Sequence, residues 1–362
     1  MEETAAMSNT FLKSKQISDS LWKEIDHNPE KFRIFTGERP TGTLHIGHYF
    51  GSLVNRIKLQ KKGVEMFILV ADQQVLTDHD SFDKISQLTR ELVIDNISAG
   101  IDLENGRTFI FPHSQIPELN QLLVPFLTLV SISELERNPT VKEEIRSANI
   151  KNVNAGMLVY PVHQACDILS VNANVIPVGK DQLPHIELSR LIAKRFNGKF
   201  CKDNNKVFVE PEALLSEVPS LVGLDGKQKM SKSRHNAIML NSSREDIVNM
   251  VRKATTDSNK LISYDPANRP EVSNLLKMIS LMSSENPENI AKEIGEGGAK
   301  MLKEKLVETT DKFLTPIRER RKAIENDYGY IDRLIKLGVE KVRDESSKTL
   351  AKVLKAMNMY GF

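Results

Sequence analysis

Two short stretches of this 362-residue chain contain residue types that could bind a polyphosphate. The first covers residues 37–48 and reads GERPTGTLHIGH, and the second covers residues 229–233 and reads KMSKS. Each combines cationic or hydrogen-bond-donating side chains with glycine, proline or serine. We call them the histidine segment and the lysine segment. Their occurrence in one chain, in this order, indicates chemistry on ATP.

The histidine segment follows a predicted strand and precedes a predicted helix. A helix N-terminus offers an anion unpaired N–H groups and about half a positive charge. Gly37, Gly42 and Gly47 permit tight turns and close approach of the backbone to a ligand. His45 and His48 are three residues apart, so they share one face of the first helical turn and could donate to phosphate oxygens. A metal pair or two surface histidines are the competing interpretations, and without a third ligand the pattern predicts no metal.

The lysine segment lies in a basic loop that contains Lys227, Lys229 and Lys232. A pyrophosphate leaving group gains negative charge as its bond to the α-phosphorus breaks. Two ammonium groups closing on it would therefore stabilise the transition state more than bound ATP. At an effective dielectric constant near 20, one such contact at about 4 Å is worth roughly 4 kcal/mol before desolvation. A solvated basic loop is the competing interpretation of the same lysines.

The elements that must position these segments alternate between strands and helices. Strands are predicted over residues 32–36, 66–71, 108–111 and 174–178, and helices over 46–63, 81–99 and a segment that starts near 181. This alternation implies βαβ units, and hence an α/β fold with a Rossmann-like, doubly wound parallel sheet. Asp80 or Ser81 is predicted to cap the second of these helices, and Gly100 to end it.

The chain divides into three predicted regions. Residues 1–31 form an N-terminal extension with a short helix over 17–32, and residues 32–240 form the Rossmann-fold catalytic domain. That domain contains a helical insertion at about 115–170 and the lysine loop at 226–233. Residues 241–362 form an all-α C-terminal domain. Its helices are predicted over residues 243–254, 271–284, 287–295, 298–323 and 343–358.

Composition narrows the class of protein. Hydrophobic residues make up 40% of the chain and charged residues 27%, which is ordinary for a soluble globular protein. The formal net charge of +2 requires any RNA-binding surface to be a local patch. Cys166 and Cys201 form no CxxC pair, which argues against a cysteine metal site and favours a reducing compartment. No apolar run approaches the roughly 20 residues of a membrane span, and we expect a cytoplasmic protein.

The histidine and lysine segments resemble the HIGH and KMSKS signatures of class I aminoacyl-tRNA synthetases. Further segments resemble the bacterial tryptophanyl-tRNA synthetases in particular, and the resemblance covers about residues 32–358. The segments are 37–42 (GERPTG), 71–73 (ADQ), 134–137 (ELER), 160–161 (YP), 165–169 (ACDIL), 177–182 (PVGKDQ), 185–188 (HIEL) and 256–258 (TDS).

The resemblance implies a tryptophan–tRNA ligase. Such an enzyme activates L-tryptophan with ATP to tryptophanyl-adenylate and pyrophosphate, and then transfers the tryptophanyl group to the 3′-terminal ribose of tRNA(Trp). Mg²⁺ accompanies ATP, the C-terminal domain binds the tRNA anticodon, and the family is homodimeric.

The resemblance also implies roles for individual residues. The catalytic set would be His45, His48, Lys229 and Lys232. ATP would be bound by Arg39, Pro40, Thr41, Gly47, His48, Gly179, Lys180, Asp181, Gln182, Lys229, Met230, Ser231, Lys232 and Ser233. Tryptophan would be bound by Asp167, Gln164, Phe35 and Gly37.

Physical reasoning supports the role of Asp167 as acceptor of the indole N–H. The indole nitrogen is a donor only, so its recognition requires a buried acceptor. A buried carboxylate that faces a substrate without this donor stays unpaired, which penalises phenylalanine. The competing interpretation is a residue on a helix surface, but its neighbours Ala165, Cys166, Ile168 and Leu169 are apolar.

Two departures from the family pattern leave the substrate and the inhibitor response open. Gln164 stands where many bacterial members have methionine, and a Q-x-x-D pair also occurs in tyrosyl-tRNA synthetases, so tyrosine remains a candidate substrate. Gln74 stands where many members have histidine, which predicts a changed response to tryptophan-mimicking inhibitors in a comparison with a Gln74→His variant. A nucleotidyltransferase of the HIGH superfamily and a non-catalytic RNA-binding paralogue also remain candidate functions for the same sequence pattern.

A basic cluster on a predicted C-terminal helix could contact RNA. It comprises Arg318, Arg320, Arg321 and Lys322. Such clusters neutralise phosphates without reading sequence, whereas anticodon recognition requires base stacking and base-edge contacts. A solvated helix face is the competing interpretation.

Overall fold

A computed structural model describes residues 2–77, 83–147, 153–202, 205–216 and 221–360. Within these residues the strands form one five-stranded sheet of order β3-β2-β1-β4-β5. Every pairing is parallel. The strands are β1 (Arg33–Glu38), β2 (Glu65–Val70), β3 (Thr108–Pro112), β4 (Val175–Val178) and β5 (Glu212–Leu215). The predicted α/β fold with a parallel sheet is confirmed.

Four strands lie where the sequence predicts them, and β5 was not predicted. Its sequence, Glu-Ala-Leu-Leu, contains residues that favour helices in isolation. Pairing of Glu212 with Val175 through Leu215 with Val178 fixes the extended conformation instead. Tertiary pairing therefore overrides local preference at this edge of the sheet.

The helices of the N-terminal and sheet regions alternate with the strands. They are α1 (Glu2–His27), α2 (Ile46–His48), α3 (Val54–Lys61), α4 (Ile85–Ala99), α5 (Pro117–Leu127), α6 (Ile132–Glu136), α7 (Pro139–Ser147), α8 (Ala155–Ser170) and α9 (Leu183–Phe200). The predicted short N-terminal helix is longer than expected, because α1 begins at Glu2. A wider π-helical turn over Tyr49–Leu53 interrupts the predicted 46–63 helix.

The prediction that Gly100 ends the fourth helix is confirmed. Its φ of 116° is left-handed, and its N–H donates to carbonyls of the last turn of α4. The predicted cap at Asp80 or Ser81 lies outside the described residues.

The C-terminal helices follow the predicted ones closely, with one exception. They are α10 (Arg244–Arg252), α11 (Pro270–Ser283), α12 (Pro287–Ile294), α13 (Gly298–Ile324) and α14 (Tyr328–Ala356). The prediction that the last helix starts at 343 is wrong, because Asp327 accepts from the N–H of Tyr330 and caps a helix that begins at Tyr328. A Cβ added to Gly338 would collide with the carbonyl oxygen of Ile110, so α14 packs directly on β3.

Alternate residues of the central strand point into different hydrophobic cores. Ile34 belongs to a core that also contains residues of α4, α11 and α13, whereas Phe35 belongs to a core formed with α5, α8 and α9. Both faces of the sheet are therefore covered, as a parallel sheet requires. Trp22 of α1 packs against the first core.

Among the described residues, the helices are each too short or too polar to cross a lipid bilayer.

Candidate active site

The sheet order reverses between β1 and β4, which lie side by side although two other strands separate them in sequence. Ile34 and Val175 pair across this boundary. Ligands of open parallel sheets bind beyond the carboxyl ends of the strands at such a switch point. The histidine segment leaves β1 there and residues 179–182 leave β4, so the fold brings these two predicted binding segments to one edge.

Two glycines fix the path of the histidine segment. A Cβ at Gly37 would lie 2.7 Å from the Cβ of Leu69, so β1 and β2 can approach this closely only without a side chain. Gly42 has a φ of 126°, and a Cβ there would lie 2.5 Å from the Nζ atom of Lys232. The lysine segment therefore reaches over the turn of the histidine segment.

The two histidine rings lie against each other, tilted by 31° with their centroids 3.7 Å apart. The backbone N–H of His45 donates to Nδ1 of His48 over 3.2 Å, so a neutral His48 carries its proton on Nε2. Burial, together with His48 and Lys229, lowers the pKa of His45 to about 3. Burial also lowers the pKa of His48, assisted by Lys229 and Arg56 and opposed by Glu38. Both rings are therefore neutral hydrogen-bonding groups at neutral pH.

Backbone pairing joins the histidine segment to the residues that follow the lysine segment. The N–H of Ile46 donates to Ile238 over 3.0 Å, and the N–H of Leu240 donates to Leu44 over 2.9 Å. Met230 is buried, and a Cβ at Gly47 would lie 3.4 Å from its sulfur and 2.9 Å from the His45 ring. The space that Gly47 leaves is thus filled by protein side chains in this structure.

A polar framework shapes the lysine segment. Asn236 accepts from the N–H of Ser231 over 2.8 Å and donates to Asp225 over 2.9 Å. The hydroxyls of Ser231 and Ser233 lie 3.0 Å apart. A cavity of about 460 Å³ borders this loop, lined in part by Lys232, Arg234 and Lys253. Lys229 and Lys232 are both exposed, as a charged arm requires.

A buried arginine behind the histidines was not predicted from the sequence. Arg56, which is 1% exposed, donates to Glu38 over 3.0 Å and to Thr36 over 3.1 Å. Although burial opposes ionisation, Arg56, His48 and Ser52 together lower the pKa of Glu38. The sequence feature that could have predicted this pair is a charged residue within an apolar helix face, since arginine is rarely buried without a partner.

A second buried charge ties the histidine segment to the C-terminal helices. Asp95 of α4 accepts from the N–H of Leu44 over 2.7 Å and from Arg321 of α13 over 2.6 Å. Arg321 also donates to Glu91. Burial raises the pKa of Asp95 to about 7, against the lowering effects of Leu44 and Arg321. The histidine segment is therefore anchored at Leu44 through α4 to α13.

The turn after β4 is held by its own aspartate. A Cβ at Gly179 would lie 2.6 Å from Oδ1 of Asp181, and Gln182 donates to Oδ2 of Asp181 over 3.3 Å. Thr140 of α7 donates to the Asp181 carbonyl over 2.8 Å. Lys180 and Asp181 are exposed and Gln182 is half-buried at the switch point, consistent with a ligand-binding turn.

The predicted tryptophan-binding residues lie on the opposite face of β1 from α4. Phe35 is buried edge-on to Phe111, with ring centroids 6.3 Å apart. Asp167 is 2% exposed in the same core, and Gln164 is half-buried one turn earlier on α8. The predicted burial of Asp167 within an apolar helix face is confirmed, so its interpretation as a helix-surface residue is wrong.

His113 is the principal partner of Asp167 and was not predicted from the sequence. Its Nε2 lies 2.8 Å from Oδ1 of Asp167, and both side chains are 2% exposed. Burial opposes protonation of His113, but Asp167 and Asp72 outweigh it and raise its pKa. The next residue, Ser114, donates to Asp72 through both its hydroxyl and its N–H. The sequence feature that could have predicted these residues is a polar pair directly after β3, because binding residues of parallel sheets lie at the carboxyl ends of the strands.

Two of the motifs that suggested the family serve structural roles. Glu134 accepts from Arg195 over 2.7 Å and caps α6 together with Ser131, so it joins α6 to α9. Asp257 accepts two bonds of 2.7 Å from Arg269 and holds the loop before α11.

The basic cluster is only partly a free phosphate-binding surface: the interpretation is wrong for the buried Arg321, Arg318 is half-buried and bonded within the chain, and Arg320 is exposed. Arg318 donates to Asp311 and to the Ser242 carbonyl, and Arg320 donates to the Ser98 carbonyl. Arg321 is buried in its ion pair with Asp95. These guanidinium groups join α13 to the sheet region, and Lys322 is exposed beside them.

The chain is similar to known proteins over most of its length. The family model for class I tRNA synthetases (W and Y) matches residues 27–315. A tryptophan–tRNA ligase of Clostridium longisporum is 41% identical over 338 residues, which cover 91% of this chain and 97% of that protein. The tryptophan–tRNA ligase of Thermotoga maritima is 41% identical over 90% of this chain and 99% of its own length.

Solved structures of tryptophanyl-tRNA synthetases are also similar to this chain. The Campylobacter jejuni tryptophanyl-tRNA synthetase, complexed with ADP and tryptophan, matches with a TM-score of 0.78 and 28% identity. The match covers 91% of this chain and 100% of that one. A tyrosyl-tRNA synthetase of Archaeoglobus fulgidus shares the fold, with a TM-score of 0.62 and 21% identity.

Proposed function

The chain belongs to the class I tRNA synthetases of the tryptophan and tyrosine group, and we propose that it joins L-tryptophan to tRNA(Trp). In the first step a tryptophan carboxylate oxygen attacks the α-phosphorus of ATP, and pyrophosphate leaves. In the second step a hydroxyl of the 3′-terminal ribose of the tRNA attacks the acyl carbon, and AMP leaves. The observation that carries this proposal is the meeting of the histidine and lysine segments at the switch point, beside a buried carboxylate.

The lysine segment is proposed to stabilise the leaving pyrophosphate. In this structure Lys232 lies over Gly42 and Met230 lies beside Gly47, where ATP would be bound. ATP therefore has to displace these two side chains, after which Lys229 and Lys232 close on its phosphates. Ser231 and Ser233 add hydroxyl donors. The loss of either lysine is expected to slow activation by about two to three orders of magnitude, or roughly 3–4 kcal/mol of the barrier.

The two histidines are proposed to contact the nucleotide as neutral donors. The His48 tautomer leaves its Nε2 proton free of the bond to the His45 N–H, so it can donate to a phosphate or ribose oxygen. The lowered pKa values keep both rings uncharged. Their contribution is therefore oriented hydrogen bonding, which strengthens as charge develops in the transition state.

The remaining nucleotide contacts are proposed from two turns. Arg39, Pro40 and Thr41 lie directly after β1, and Thr41 donates its N–H to the Arg39 carbonyl over 2.9 Å in a tight turn. The turn at residues 179–182, with Gly179, Lys180, Asp181 and Gln182, would hold the ribose. Mg²⁺ is proposed to arrive bound to the phosphates as part of the substrate.

Asp167 is proposed to accept the indole N–H of tryptophan. Its ion pair with His113 fixes one carboxylate oxygen, which orients the other toward a ligand. Phe35 and Gly37 border this side of β1, and Gln164 stands one helical turn away. Phenylalanine would leave the carboxylate short of a donor and is therefore rejected.

The proposal also covers partners and location. We propose a homodimer that works in the cytoplasm, with the region 241–362 binding the tRNA anticodon. Because Arg321 of α13 is buried in its ion pair with Asp95, anticodon contacts must come from other residues of this region.

The test is amino-acid-dependent exchange of labelled pyrophosphate into ATP, measured with each standard amino acid. Exchange with tryptophan alone is the expected result. Exchange with tyrosine instead would assign the specificity to the second candidate, which the Gln164 and Asp167 pair on one helix face favours. The absence of exchange with any amino acid would refute the proposed reaction.

A further inference from the structure

Three side chains that can ligate a metal ion meet beside the proposed indole site. One ligand atom from each of His113, His163 and Asp167 lies within 4.8 Å of the other two. His113 follows β3, whereas His163 and Asp167 both lie on α8. These two are four residues apart, so they project from the same face of the helix. We call this group the His–His–Asp cluster.

Hydrogen bonding within the chain leaves much of the cluster unsatisfied. His113 and Asp167 are each 2% exposed. Both ring nitrogens of His113 and Oδ1 of Asp167 are buried without a hydrogen bond of ordinary geometry, although Nε2 and Oδ1 are only 2.8 Å apart. Buried polar groups normally have partners. The indole N–H is a single donor and cannot satisfy all three atoms, so the cluster has more ligand capacity than tryptophan uses.

We propose that the His–His–Asp cluster binds one zinc-class divalent ion. Two imidazole nitrogens and one carboxylate oxygen, with a fourth position left for water, are a donor set that suits Zn²⁺ and disfavours Mg²⁺. Tetrahedral Zn²⁺ bonds of about 2.1 Å separate donor atoms by roughly 3.4 Å. The short His113–Asp167 contact would open by about 0.6 Å, and the longest separation would close by at most about 1.4 Å, which side-chain rotation permits.

The bound ion would compete with tryptophan. It neutralises the Asp167 carboxylate and occupies the space that the indole N–H must enter, so metal and amino acid exclude each other. This competition rests on the proposed function, whereas binding of the ion itself does not. Zinc is therefore expected to raise the apparent KM for tryptophan without changing the KM for ATP.

The test uses the full-length chain after chelator treatment and dialysis. Calorimetric titration with Zn²⁺ is expected to show one ion per chain, and Co²⁺ is expected to give the visible absorption of a four-coordinate site. His163→Ala removes a half-buried ligand and is expected to weaken binding at least about tenfold and to abolish the cobalt bands. His27→Ala is the matched control, because His27 lies at the end of α1, away from the cluster, and bonds to Lys23 of the same helix. Circular dichroism verifies that both variants fold.

The outcomes separate the two proposals. Zinc affinity that is unchanged in His163→Ala, or no binding by the parent chain, overturns the metal site and leaves a bound water as the partner of His113. If zinc binds but tryptophan fails to displace Co²⁺, the shared use of Asp167 is refuted and the metal site stands. If cobalt spectra appear as expected while no amino acid supports pyrophosphate exchange, the proposed function fails and the metal site survives.

Discussion

Replacement of Arg321 by methionine is expected to destabilise the chain strongly, although Arg321 lies outside the sheet. Its guanidinium group donates to Asp95 over 2.6 Å, and Asp95 accepts from the N–H of Leu44 in the histidine segment. The side chain of Asp95 is 1% exposed and that of Arg321 is 10% exposed. The variant therefore leaves a carboxylate buried without its cation.

The magnitude follows from the burial of this pair. At a pH above the pKa of Asp95, where this carboxyl is ionised, removal of its partner from a buried ion pair costs about 3–5 kcal/mol, because the remaining charge is uncompensated. Glu91 and Glu325, the other acidic partners of Arg321, are 27% and 39% exposed and regain water more readily, so Asp95 dominates the loss. The double variant Asp95→Asn/Arg321→Met keeps an oxygen for the Leu44 N–H and removes the charge. We expect it to recover most of the lost stability.

The same loss is expected to depend on pH. The pKa of Asp95 is raised from its ordinary value of 3.8 to about 7, chiefly by burial. The native state therefore binds this proton more tightly than the unfolded chain, and stability falls as pH rises between about 4 and 7. Without Arg321 the pKa rises further and extends this window upward. The penalty of Arg321→Met is thus expected to be about 1 kcal/mol larger at about pH 8 than at about pH 6 if the pKa rises by one unit, and at most about 1.4 kcal/mol larger if it rises further.

Urea unfolding at both pH values measures these differences directly. Lys322→Met is the matched control, because its side chain is exposed on the next position of the same helix and should change stability by less than about 0.5 kcal/mol. The reasoning is refuted if Arg321→Met is as stable as Lys322→Met. An equal penalty at both pH values, or no recovery in the double variant, would refute the assignment to Asp95.

Three further predictions concern the proposed pocket and the packing of the last helix. Asp167→Ala should lower kcat/KM for tryptophan about 10- to 100-fold in pyrophosphate exchange, with the KM for ATP unchanged. The reason is that a hydrogen bond to a charged acceptor is worth about 1.5–3 kcal/mol. An unchanged kcat/KM for tryptophan would contradict the proposed role of Asp167 as acceptor of the indole N–H. Gly42→Ala should reduce pyrophosphate exchange, because its Cβ would displace Lys232. Gly63→Ala, also at positive φ but in open space, should lower only the stability measured in thermal melts. Equal exchange in both variants would count against the lysine contact. Gly338→Ala should destabilise by about 1–3 kcal/mol in urea unfolding because α14 would be forced away from β3, and wild-type stability would disprove that packing.

The elements predicted best are those whose local pattern agrees with their tertiary environment. The continuous apolar run of β2 and the Gly100 terminus of α4 are of this kind, because burial on both faces and a left-handed φ each demand particular residue types. β5 and the first half of α14 were missed. Pairing with β4 sets the first and leaves no clear local signal. The second begins at the Asp327 cap, which is a local signal, but its packing through Gly338 against β3 depends on tertiary contact.

The candidate active site likewise contains features that the sequence predicted and features that it did not. The residue types of the histidine and lysine segments follow from the chemistry of phosphate binding, so spacing and composition sufficed to identify them as an ATP-directed pair. The partners of these segments did not follow from sequence. His113 and Arg321 are separated from Asp167 and Asp95 by 54 and 226 residues, the differences between their residue numbers. Electrostatic pairing over such separations depends on which helix faces which strand.

The sequence by itself determined the chemistry available to this chain: phosphate-binding loops at strand ends, and a carboxylate in an apolar helix face. Only the tertiary structure decided how these groups are charged and held, because pKa values and ion pairs depend on burial and on neighbours distant in sequence. In the structure, arginines of the basic cluster proposed for RNA join α13 to the sheet region. Asp167 has two histidine neighbours there. A linear pattern records residue types but not the low-dielectric surroundings that decide their roles.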